Sequence, residues 1–474
     1  MSINGPLHMN RRQMLMSALG FPALAAAAVT NPQAAKKPQF PATAKSVIFL
    51  FMHGGPSHLE TFDPKPILNT LDGKHVPASF GSVQLQFSKF EQQTVLGCRR
   101  TFKRYGQSGI EVSDLFPRVA DHIDDIAVIR SMNHDGFTHT AALNWLNNGW
   151  SRIGRPSMGS WVVYGLGSES ESLPGFVVML ESGIKSGPSV YSSGFLPAAY
   201  RGTLLRDGPA PILNLKAPQG MTAGDQRDML DTLRWFDQRH LDRNVGESSL
   251  EARISSYELA FRMQATAPEL ADLSKQTPAT RSLYGLDDPA TASFASKCLM
   301  ARRLVERGVR FVQCWSGGTG GETDWDGHKQ CDKNHVEMAA KTDRPIGALL
   351  TDLKSRGLLD STLVIWGGEF GRTPVCDGRM NGGGDALRRD HNPYGFSLWM
   401  AGGGIKGGQI VGATDEIGLR AIEDPVHVHD LHASILYLMG IDHTKLTYPF
   451  EGRDFRLTDV AGKTDLVRRL KRIA

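Results

Sequence analysis

Residues 46–58 read SVIFLFMHGGPSH, seven uncharged and mostly apolar residues that stop at His53 and a Gly-Gly-Pro turn. An unbroken apolar run of this length, closed by turn residues, reads as a strand buried on both faces, as in a parallel sheet covered by helices. Three other segments follow the same plan. IAVIRSM (126–132) leads to Asn133-His134-Asp135 and then Thr138-His139-Thr140. VRFVQCW (309–315) leads to Asp324-Trp325-Asp326-Gly327-His328, and TLVIWGG (362–368) ends in Glu369, with Asp390-His391 downstream. Open parallel sheets gather ligands outside the carboxyl ends of their strands. Four such strands lying side by side would bring these loops to one pocket rich in acids and imidazoles, suited to divalent metal.

Outward from these strands, GFVVML (175–180) and FSLWMA (396–401) read as further buried strands. The apolar spacing of FASKCLMARRLVERG (294–308), of roughly 334–356 and of VHDLHASILYLMGI (428–441) predicts helices. The expected class is α/β, a mostly parallel central sheet flanked by helices. Between about 218 and 295 the strand pattern lapses into helical spacing, which predicts a helical insertion over the sheet. The α/β domain is expected to span 45–474.

The chain has 474 residues, 41% of them hydrophobic, enough for a large core. Asn10-Arg11-Arg12-Gln13-Met14-Leu15 is a twin-arginine pattern followed by the apolar stretch 14–29 and by small residues such as Ala25-Ala26-Ala27. Residues 1–35 are therefore expected to be a signal peptide for the twin-arginine export machinery, with 36–44 as linker and a periplasmic or extracellular destination. An uncleaved anchor is the alternative, although a span takes about 20 apolar residues. Formal charge is +4, and removing Arg11 and Arg12 leaves +2. No basic block or basic stripe interleaved with aromatics points to nucleic acid. Five cysteines without a CxxC pair support neither a disulfide framework nor a thiolate zinc site.

The loop residues each carry two readings. Asp324, Asp326 and His328 can reach one ion from a glycine-rich loop, or the acids can cap turns. Glu369 sits among glycines that allow close approach of a ligand. Arg372 either binds an anionic group or forms an internal salt bridge. His391 is a ligand oriented by Asp390, or a turn residue. His139 precedes a helix whose N-cap is Thr138 or Thr140.

The phrases HGGPSHLETFDPKP (53–66), RPSMGSWVVYGLGS (155–168), GGEFGRTP (367–374), RRDHNPYGFSLWMAGGGIKGG (388–408) and the stretch 428–459 resemble a large exported family of unknown function. That family is allied to the alkaline phosphatase–sulfatase superfamily. The resemblance implies two divalent ions, zinc, manganese, calcium or magnesium, clamping a phosphate or sulfate ester. One ion would be held by Asp326, His328 and His391. His53, His139 and Glu369 would hold or flank the second, with Asp324 and Asp390 in support. His53 stands where the superfamily has an acid, and Glu369-Phe370 where it has Asp-His. Counting back from Gly149, the nucleophile position falls on His139 rather than on a hydroxyl or thiol. His139 is then a third imidazole ligand, a covalent or acid/base group, or the mark of a lost reaction. The expectation is an exported metal-dependent hydrolase of a small anionic ester or a sulfated or phosphorylated glycan, with His139 and Arg372 at the reacting group. A non-catalytic metal- or ligand-binding envelope protein is the alternative.

Overall fold

The computed structural model describes residues 33–85, 89–206, 220–241, 243, 248–318, 324–328, 330–376 and 388–471. Most of the 1–35 segment, and the glycine-rich span 381–384, lie outside these residues. Segment 46–52 forms strand β1 (Ser46–Met52), buried along its whole length. It is followed by β2 (Ile126–Asn133), α1 (His139–Asn148), α2 (Met158–Leu166), β3 (Phe176–Met179) and β4 (Thr203–Leu205). Four helices come next, α3 (Ala223–Leu241), α4 (Ser248–Ala271), α5 (Pro278–Tyr284) and α6 (Ala292–Glu306). Then come β5 (Phe311–Ser316), α7 (Cys331–Ser355) and β6 (Thr362–Gly367). A hairpin of β7 (Gly371–Cys376) and β8 (Arg389–Asn392) leads to β9 (Phe396–Ala401), β10 (Gln409–Val411), β11 (Val426–His427) and α8 (Val428–Leu438).

The central sheet runs β10-β2-β9-β6-β1-β5-β3-β4, with β11 beside β2. Every pairing is parallel except those of β9 with β2 and β6. The sheet is thus mostly parallel and flanked by helices, the expected class. The side-by-side arrangement needs one correction. β5, β1 and β6 are neighbours, but antiparallel β9 stands between β6 and β2. Because β9 reverses direction against both, β2 and β6 still point the same way, and their loops leave from one edge.

Successive strand residues face opposite sides of a sheet, and β1 shows what this does to an all-apolar run. Val47, Phe49 and Phe51 pack with Leu143, Trp161 and Ile435 of α1, α2 and α8. Ile48, Leu50 and Met52 pack with Leu299 and Leu349 of α6 and α7. Two cores result, one on each face, and both need the apolar side chains that an alternating strand would lack. Cys98, Cys298, Cys314 and Cys331 are buried and Cys376 is half-buried. Among the described residues, no helix is long and apolar enough to cross a membrane.

Candidate metal centre

β1 stops at His53, and the turn behind it is stitched to two other loops. Trp325 N donates to His53 O at 2.8 Å. Gly54 N donates to both carboxylate oxygens of Glu369, at 3.0 and 3.1 Å. Gly54 has φ +111°, and a Cβ there would lie 2.3 Å from Asp326 N. Only glycine lets β1 pass this close to the loop carrying the acids.

Asp326 is the hub. Its Oδ1 lies 3.1 Å from His328 Nε2 and 3.5 Å from His391 Nε2, and those two nitrogens are 2.9 Å apart. Ligand atoms on a tetrahedral zinc ion with bonds of 2.0–2.1 Å are about 3.3 Å apart. The three atoms therefore fit one face of such an ion's coordination shell. The donor chemistry agrees. His391 Nδ1 engages Phe137 O at 2.7 Å, which turns Nε2 toward the cluster. Burial pushes His391 far below the usual histidine range, so it stays a neutral lone-pair donor. With His139, these residues form a group of four whose ligand atoms all lie within 4.8 Å of one another.

His139 opens α1. Thr138 takes the N-cap position, but its side chain makes no capping hydrogen bond. The ring instead bridges two acids, with Nδ1 2.7 Å from Glu369 Oε1 and Nε2 3.0 Å from Asp326 Oδ2. Burial opposes a charge on His139, yet hydrogen bonds that its ring donates to Asp326 and Glu369 raise it above the usual histidine range. Burial would raise Glu369 as well, but His139 holds it below the ordinary carboxylate value. Asp326 is likewise penalised by burial and still held low, by Arg372 above all and then by His139 and His391.

His53 and Asp324 form the deeper layer, both fully buried. His53 Nδ1 meets Gly318 O at 3.0 Å and lies 3.9 Å from Asp324 Oδ2. Burial lowers His53 and raises Asp324. Asp324 Oδ1 accepts from Asp326 N at 3.0 Å, folding the acidic loop on itself. Asp390 Oδ1 accepts from His391 N at 2.8 Å, which puts Asp390 behind the cluster as an orienting group.

Arg372 does not face the pocket as an open anion receptor. It is fully buried, and its guanidinium donates to Gly54 O, Gly55 O and Asp326 Oδ1, the last at 2.7 Å. It is an internal tie, with Asp326 as its partner. Among the described residues, a cation that does reach the pocket is Lys185, partly exposed in the loop after β3, with Nζ 2.7 Å from Asp326 Oδ2. Sequence reading passed over it because no His/Asp cluster marks that loop. The available signal was the strand itself, since GFVVML is parallel to β5 and its loop opens on the same edge.

A family model described as "Protein of unknown function (DUF1501)" matches residues 44–470. No curated protein matches the chain in sequence. Among solved structures, it is similar to a sulfatase from a Pseudoalteromonas species (13% identity, 86% of this chain and 68% of that one, TM-score 0.37). It is also similar to the alkaline phosphatase of the Antarctic bacterium TAB5 (13% identity, 84% and 98%, TM-score 0.35). A third is a phosphonate monoester hydrolase from Silicibacter pomeroyi (12% identity, 76% and 72%, TM-score 0.35). Likenesses this loose carry no chemistry over to the chain.

Proposed function

The chain belongs to the family of unknown function DUF1501, and from its own site we propose that it is a metal-dependent hydrolase of a phosphate or sulfate ester. The triangle of Asp326 Oδ1, His328 Nε2 and His391 Nε2, with edges of 2.9–3.5 Å, carries this reading. A divalent ion bound there supplies Lewis acidity and lowers the pKa of water. His139, held at both nitrogens by carboxylates, is the proton-transfer group, able to hand a proton to a departing oxygen and recover it from water. Glu369 fixes the ring, and Arg372 positions Asp326. Charge favours an anionic substrate. Lys185, partly exposed beside Asp326, and the ion would be the charges that face the ester. A small ester or a sulfated or phosphorylated glycan meets that requirement.

Purified protein loaded with zinc or manganese is expected to hydrolyse an aryl phosphate or an aryl sulfate, and to lose the activity with chelator and in His328→Ala. Metal retained without turnover of either ester would favour a non-catalytic metal- or ligand-binding envelope protein. Phe370 supports that second reading, because its ring stacks on His391 at 4.3 Å and lies 5.1 Å from His139. The twin-arginine segment adds export to a periplasmic or extracellular site, which fractionation of an Arg11→Lys/Arg12→Lys variant tests.

A further inference from the structure

The two oxygens of Asp326 face different cations. Oδ1 belongs to the triangle with His328 and His391. Oδ2 faces Lys185 Nζ at 2.7 Å, and the same Nζ lies 3.3 Å from Asp324 Oδ2 and 3.1 Å from His139 Nε2. An ammonium carries three N–H groups, and oxygens of two carboxylates accept from or pair with this one, with the His139 ring beside it. A carboxylate that bridges two metal ions would offer one oxygen to each. Here the second oxygen already meets a fixed positive charge.

We infer that Lys185 takes the place of a second metal ion, so that the centre holds one divalent cation and one ammonium. The inference rests on the metal reading above and decides its stoichiometry. The remaining donors of the expected second site agree with it. His53 Nε2 is buried and has no hydrogen-bond partner among the described residues, and Asp324 Oδ2 has only the charge contacts with Lys185 and His53. These atoms keep the means to bind an ion, while the ammonium beside them repels one. Removing the ammonium therefore opens a second site.

The test counts zinc per chain by mass spectrometry after equilibration with zinc chloride and removal of excess, using the full-length protein. Wild type is expected to hold one equivalent, Lys185→Arg one, and Lys185→Ala two. Two equivalents in wild type overturn the proposal, whether or not the variants fold. So does a folded Lys185→Ala that stays at one equivalent, or a wild-type ion that survives His328→Ala. No zinc in any of the proteins overturns the metal reading itself, and this inference with it.

Discussion

Asp326 sets the terms at the scale of the single residue, because its carboxylate is shared among Arg372, Lys185 and three imidazoles. The Arg372 contact is the most constrained of these. Arg372 reaches Asp326 from a position where its guanidinium also ties down Gly54 O and Gly55 O, so one planar group sets both the carboxylate and the turn after β1. A lysine cannot reproduce that fork, having a single point charge on a flexible stem. Arg372→Lys is expected to weaken zinc binding by about 10–100-fold, as losses of groups behind a ligand do. Competition with a chromogenic chelator reads this, and unchanged affinity would remove Arg372 from the positioning role.

At the scale of the element, the site depends on how closely three loops pass one another. Gly54→Ala places a Cβ against Asp326 N in a backbone conformation that L side chains rarely adopt. The expected cost is at least about 2 kcal/mol, read from the urea midpoint. Gly73→Ala has a similar φ of +75° but open space around it, and it should cost only about 1 kcal/mol. If the two variants melt alike, the close approach is not what demands glycine at 54.

The same scale explains which features were readable in advance. β1, β2, β5 and β6 are continuous apolar runs, and the acids and histidines behind them announce a shared edge. β4, β10 and β11 have three residues or fewer, too few for a pattern. FSLWMA reads the same whether it runs parallel or antiparallel, so its insertion as β9 between β2 and β6 was not visible. The partner of Arg372 was equally hidden. It follows from the β7–β8 register, in which Arg372 pairs with His391, and from a tertiary approach to Asp326.

For the whole molecule, buried neutral histidines tie stability to pH. Burial lowers His335 from 6.5 to about 4, with Ser57 N donating to its Nε2, and lowers His432 to about 3. Above pH 6.5 neither the folded nor the unfolded chain protonates them, and they add no pH dependence. Below it the unfolded chain gains protons that the folded chain refuses, so stability falls with pH by about 1.4 kcal/mol per unit for each residue. Between pH 6.5 and 5 the two together should remove about 3 kcal/mol. The urea midpoint measured across that range checks this, and a flat profile would contradict it.

Strand order has a consequence in time. β1 is the first strand made, yet it lies mid-sheet between β5 and β6, whose last residue, Gly367, is translated some 300 residues later. At 5–20 residues per second, its two hydrogen-bonding edges wait roughly 15–60 s for their partners. Throughout that interval SVIFLFM is an uncharged segment with open edges, the kind that pairs with other chains. A nascent chain stopped before residue 311 is expected to bind a holdase chaperone, because the partners that cover both edges of the strand have not yet been made.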